Sequence, residues 1–207
     1  MSFVLLWLGV MFPLVFSPGP ANIVFAASGA GVGFRRSLPL VCGVDLVFVL
    51  KSALIGYGAG QLLSEYPEVL NGLQLIGASY LFYLAFGFLK RTVASGNQQT
   101  FLQLSFLDGV VIQLLNAKGW IMVVLMFSLF VEPAKEFAGS YAELSLITML
   151  FILNVLTHLA WVMFGDLFAR MTGGSKGAQW QGYFYFGCLL MVACWLLVDN
   201  PIWKSFI

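Results

Sequence analysis

The chain has 207 residues, 60% of them hydrophobic and 9% charged, with a mean hydropathy of +0.93 and a formal net charge of +1. Those proportions exclude a separate soluble domain and describe a polytopic helical membrane protein of one domain, residues 1–207. A charge of +1 by itself implies no partner, so the lipid bilayer is the expected surrounding and no nucleic-acid partner is expected.

The first predicted span, about residues 3–30, is interrupted by Ser17-Pro18-Gly19-Pro20. Two prolines lack the amide donors a helix uses and the glycine adds backbone freedom, so a straight helix does not run through all four. Non-helical backbone at membrane depth is tolerated only where it is buried in protein or lines a cavity, which marks this tetrapeptide as a candidate binding site. The small residues Ala26, Ala27 and Ser28 behind a hydrophobic run resemble a secretory signal. However, no Lys or Arg precedes the run and the apolar stretch continues past the prolines, so it is read as a retained span.

The second span, about 38–63, carries Asp45 and Lys51. Six residues apart, they stand about 120° from one another on a helix, so they form no same-face pair and at least one points to another helix or a cavity. A third span covers about 70–89, and a fourth, about 106–131, contains a second polar interruption, Gln113-Leu114-Leu115-Asn116-Ala117-Lys118-Gly119. The fifth, about 141–169, holds His158, the only histidine, and ends near Asp166 and Arg170, which are spaced for a local ion pair, with a gate as the second reading. The sixth, about 183–198, is the shortest.

Basic residues follow spans one, three and five at Arg35, Arg36, Lys90, Arg91, Arg170 and Lys176, whereas the alternate loops carry Glu65, Glu68, Glu132 and Glu136 with only Lys135. The positive-inside rule then puts the basic loops in the cytoplasm and both chain ends outside. Spans four to six therefore run opposite to spans one to three, as in an inverted repeat, here about 1–91 and 103–207. The expected fold is all-α: six transmembrane helices as two inverted three-helix repeats, helices one and four interrupted near mid-membrane. Gly29 with Gly33 and Gly56 with Gly60 are spaced for close helix approach, within the bundle or in a homodimer. Trp7, Tyr66, Trp180, Tyr183 and Trp203 near predicted ends read as an interfacial belt.

Two facing interruptions suit an amino acid. A helix restarting after Pro20 presents free amides and about half a positive charge, fitted to a carboxylate. Asn22 could bond the same ligand, Asn116 belongs to the second interruption, and Lys118 adds a full charge. A lone ammonium at mid-bilayer costs about 2.5–3.5 kcal/mol, so Lys118 requires a water-filled cavity or a partner. For the substrate's amino group the candidate carboxylate is Asp45, whose other role is charge compensation for Lys51 or Lys118. His158 either relays protons or hydrogen-bonds between helices. Cys42, Cys188 and Cys194 form no Cys-x-x-Cys motif, which disfavours a thiol-redox protein. No serine sits in a nucleophile turn and no phosphate-binding loop appears, so neither an intramembrane protease nor a primary pump is expected, nor any cofactor or metal.

Several landmarks carry a family resemblance: Ser-Pro-Gly-Pro-Ala-Asn at 17–22, Gly33-Phe34-Arg35-Arg36-Ser37 with Gly43, and Leu75-Ile76-Gly77-Ala78-Ser79-Tyr80-Leu81. Leu115-Asn116-Ala117-Lys118 and Trp161 with Gly165 continue the series. In order and spacing these residues resemble the LysE/RhtB superfamily of amino-acid exporters, closest to the branch for cysteine, homoserine, threonine and related neutral amino acids. The resemblance implies a secondary exporter of small amino acids or close derivatives in the bacterial inner membrane, coupled to protons, with an exporter of another small metabolite as the alternative. Two departures stand out: Asn-Ala-Lys where the family commonly has Asn-Pro-Lys, and Asp45 with Lys51 where small or apolar residues are expected.

Overall fold

With so few polar side chains, the backbone satisfies its own hydrogen bonds as helix, and helix breaks fall where proline, glycine or a capping side chain imposes them. The computed structural model describes residues 3–59, 67–94, 103–172 and 174–202, apart from the side chains of residues 59, 67, 91, 94, 175, 176 and 178. Gly60, Glu65, Tyr66 and Trp203, and the side chains of Arg91 and Lys176, lie outside the described residues. The described residues form eight α-helices: α1 Phe3–Phe16, α2 Pro20–Val32, α3 Phe34–Leu54, α4 Pro67–Ala94, α5 Phe106–Leu114, α6 Ala117–Ala138, α7 Ala142–Thr172 and α8 Gly174–Val198.

Among the described residues, Phe34–Gly58, Glu68–Lys90, Ala117–Thr172 and Gln179–Val198 are long and apolar enough to cross a membrane, and α1 with α2, bent by 62°, makes a fifth. Ala117–Thr172 holds 56 residues, about 84 Å as a straight helix against a hydrocarbon core of about 30 Å. It does not run straight. Met122 and His158 line one small cavity, although 36 residues of continuous helix would set them about 54 Å apart. The chain reverses at Gly139, whose φ of 56° is a conformation a side chain rarely adopts.

Two helix crossings bring backbone against backbone. Where α2 meets α7, a Cβ on Gly29 would stand 2.0 Å from the Val162 carbonyl oxygen, and one on Gly165 would stand 1.9 Å from that of Ala26. Where α3 meets α5, a Cβ on Gly43 would meet the Phe106 oxygen at 2.1 Å and one on Gly109 the Leu40 oxygen at 2.3 Å. Close approach within the bundle thus explains Gly29. Gly33 instead forms the bend between α2 and α3, at φ 81°. α4 and α8 pack along each other, tied by Gln74 Nε2 to the Leu196 carbonyl at 2.8 Å and Asn200 Nδ2 to that of Asn71 at 2.9 Å.

One belt expectation is corrected. Trp7 is 1% exposed, packed inward with Met11 and Val15 on the single face that α1 buries. Position near a span's end suggested an interface, but the four-residue spacing of these side chains turns the indole into the core. Trp180 and Tyr183 are exposed.

Candidate functional site

The two interruptions face each other across a cavity of about 420 Å³. Ser17, Pro18, Gly19 and Pro20 line one side and Leu115, Asn116, Ala117 and Lys118 the other. α4 closes it with Gln74, Gly77, Tyr80 and Leu81, and α8 with Val192, Trp195 and Leu196, followed by Asp199. Most of the lining is apolar; the charged groups are Lys118 and Asp199.

At the first break every carbonyl that α1 leaves open is taken. Pro13 O accepts from Ser17 N at 3.0 Å, Leu14 O from Ser17 Oγ at 2.9 Å, Val15 O from Asn22 Nδ2 at 2.9 Å, and Phe16 O from Trp161 Nε1 at 3.2 Å. Ser17 O accepts from Asn22 Nδ2 at 3.0 Å and from Lys118 Nζ at 3.3 Å. The donors opposite are treated differently: α2 starts at Gly19-Pro20 with no side chain capping its N-terminus. The Lys118 ammonium sits there, bonded to Ser17 Oγ at 2.6 Å and 3.1 Å from where a Gly19 Cβ would stand. No carboxylate among the described residues is within ion-pair reach of it. A full charge and a helix N-terminus, both positive, therefore meet at the cavity wall without an anion.

The second break is capped on both sides. Asn116 Oδ1 accepts from Gly119 N at 3.3 Å, closing the start of α6, and its Nδ2 donates to Gln113 Oε1 at 3.1 Å. Leu114 O accepts from Trp120 Nε1 at 2.9 Å, and Gln113 O accepts from Asn116 N and from Lys51 Nζ. Thus the break survives without a proline, because side chains occupy the carbonyls it frees.

Ser17, Pro18, Gly19, Pro20, Asn116 and Lys118 are brought together as expected, but Asn22 is not aimed at the larger cavity. Its amide reaches back to α1, because the nearest unpaired acceptors are the carbonyls released by the prolines. Asn22→Ala strands the Val15 carbonyl, at about 1–3 kcal/mol, while the Ser17 carbonyl keeps its bond from Lys118. A melting curve in detergent should show a lower Tm and, on the same preparation, weakened transport.

Asp45 and Lys51 are not paired with each other. Asp45 Oδ1 meets His158 Nδ1 on α7 at 2.7 Å, with both side chains buried. Lys51 turns to α5 and α6, where its ammonium bonds the Gln113 carbonyl and lies 4.2 Å from the Trp120 ring centre. The 120° offset on α3 is what sends them to different neighbours. Neither compensates Lys118, and Asp45 does not line the larger cavity. Asp166 and Arg170 form the local pair, at 2.7 and 3.3 Å, on the exposed side of α7. Gln74, Tyr80, Trp195 and Asp199 went unnoticed as cavity residues, since nothing in their spacing relates them to the breaks. Asn154 could have been found: it stands four residues before His158 within an apolar span.

A family model described as LysE type translocator matches residues 12–200. An uncharacterized membrane protein of Pseudomonas aeruginosa is 30% identical over 164 residues, covering 73% of this chain and 72% of that one. A cysteine/O-acetylserine efflux protein of Klebsiella pneumoniae is 28% identical over 158 residues, 75% of this chain and 78% of its own. One from Escherichia coli is 26% identical over 155 residues, again 75% and 78%. No solved structure matches the chain.

Proposed function

This chain belongs to the LysE type translocator family, and on that premise we propose that it is a secondary exporter of small amino acids or close derivatives across the bacterial inner membrane. The observation that carries the substrate assignment is the uncapped N-terminus of α2 beside an ammonium with no carboxylate partner among the described residues, which together suit a substrate carboxylate. The substrate's amino group goes to Asp199, the carboxylate of the cavity lining, in the place first assigned to Asp45. The relatives named for cysteine and O-acetylserine efflux support an amino-acid cargo.

The transport cycle proposed is alternating access, coupled to protons, around a site between two broken helices. It has six spans in two inverted repeats, with α1–α2 and α5–α6 as the broken members. The reversal at Gly139 supports counting Ala117–Thr172 as two crossings. Basic residues at Arg35, Arg36, Lys90 and Arg170 support an orientation with their ends in the cytoplasm and the chain ends outside. Asp166 and Arg170 stay outside the transport machinery, because their pair spans four residues of one helix and bridges to no other. A homodimer is left to measurements of mass in detergent.

Proteoliposomes loaded with a panel of labelled amino acids, with and without an imposed pH gradient, test this reading. Efflux of cysteine, O-acetylserine or another neutral amino acid, faster with the gradient, is the expected outcome. Efflux of none moves the cargo to another small metabolite.

A further inference from the structure

A second cavity, of about 30 Å³, shares Gly19, Asn116 and Lys118 with the larger one and is bounded otherwise by Asn22, Asn154 and His158 and by apolar side chains. Asn154 is 1% exposed, and neither atom of its amide has a hydrogen-bond partner among the described residues. Leaving both bare forfeits two buried hydrogen bonds, whereas a single immobilised water can satisfy both at a smaller cost. The volume exceeds the 10–15 Å³ or so that one water needs. Water therefore belongs beside His158, in contact with a pair, Asp45 and His158, that is otherwise sealed under the rings of Phe25 and Phe48.

With Asp45 ionised and the imidazole neutral, the ring nitrogen facing the carboxylate carries the hydrogen and Nε2 is left as the basic nitrogen. A proton arriving there from solvent makes an imidazolium and takes the pair from net −1 to neutral, with no bond between heavy atoms made or broken. Around the pair, α1 and α2 contribute apolar side chains and Asn22; α3 contributes Lys51, committed to the Gln113 carbonyl; α6 contributes Lys118. Among the described residues Lys118 is thus the one charged group that lines this cavity, and it lines the substrate cavity too.

We propose that Asp45 and His158, with Asn154 and its small hydrated cavity, form a buried proton-binding site distinct from the substrate cavity and joined to it through Lys118. This rests on the reading of the larger cavity as a transport site. Coupling through a shared lysine is reciprocal: whatever changes the charge of the pair changes the field at the substrate carboxylate, and an occupant there changes proton binding in turn.

His158 is the only histidine, so protein purified without a polyhistidine tag and labelled in histidine gives a single imidazole signal by NMR. In the wild type that signal should respond to pH, and in Asp45→Asn the response should be lost. In liposomes His158→Gln, which keeps a hydrogen-bonding group toward Asp45, should flatten the dependence of efflux on pH while substrate binding persists. An imidazole held in one protonation state throughout, or a pH profile unaltered in His158→Gln, overturns the proposal. If the wild type exports no amino acid, the transport reading falls, and the imidazole titration still decides the proton site by itself.

Discussion

Lys118→Met should lose substrate while keeping its fold. A charged hydrogen bond to a carboxylate is worth about 1.5–3 kcal/mol, which is a fall in affinity of roughly 10- to 150-fold. The bundle should tolerate the change, since among the described residues the ammonium has no carboxylate partner to strand and hydrogen-bonds only Ser17. Thermal melting and binding should therefore separate: a Tm close to wild type with binding reduced by at least tenfold. Because Asp45 is bonded to His158, Asp45→Asn should not rescue the lysine variant. A double-mutant cycle showing rescue of stability would return Lys118 to a structural role and remove the carboxylate site.

Gly165→Val should fail to assemble. Its first side-chain carbon alone would lie 1.9 Å from a backbone oxygen of α2. No rotamer relieves a clash with backbone, so α2 and α7 must part along their length, at about 3 kcal/mol or more. Gly9→Ala and Gly187→Ala are the controls, with nothing within 4 Å of the added carbon. They should be neutral or gain up to about 1 kcal/mol from helix propensity. Yield of monodisperse protein and its melting midpoint give the comparison. A Gly165→Val protein that melts like the controls would mean that this crossing is looser than described.

The breaks were legible because proline removes a donor wherever it stands, and no tertiary contact restores it. Ser17 to Pro20 could be placed to the residue for that reason. The second break has no proline, and its polar run indicated only a region; capping by Asn116 and Trp120 depends on side-chain directions that spacing does not give. The 120° between Asp45 and Lys51 correctly separated them, yet their partners, His158 and the Gln113 carbonyl, come from helices more than sixty residues away. Trp7 was misjudged for a related reason. Distance along a span sets depth in the membrane, whereas the direction in which a helix buries its face is decided by neighbours that the local sequence does not contain.

The full commitment of the carbonyls at the end of α1 bears on how tightly a cargo can be held. A site that had to unwind a helical turn for each arriving molecule would subtract that work from every binding event. Here the turn is already open, held by Ser17, Asn22 and Trp161 through bonds within the protein itself. A modest set of contacts is then enough for capture, and the same modest set is readily broken on release. On the proposed transport reading, a backbone opened in advance leaves the movement of helices past one another, and not their local melting, as the work of each cycle.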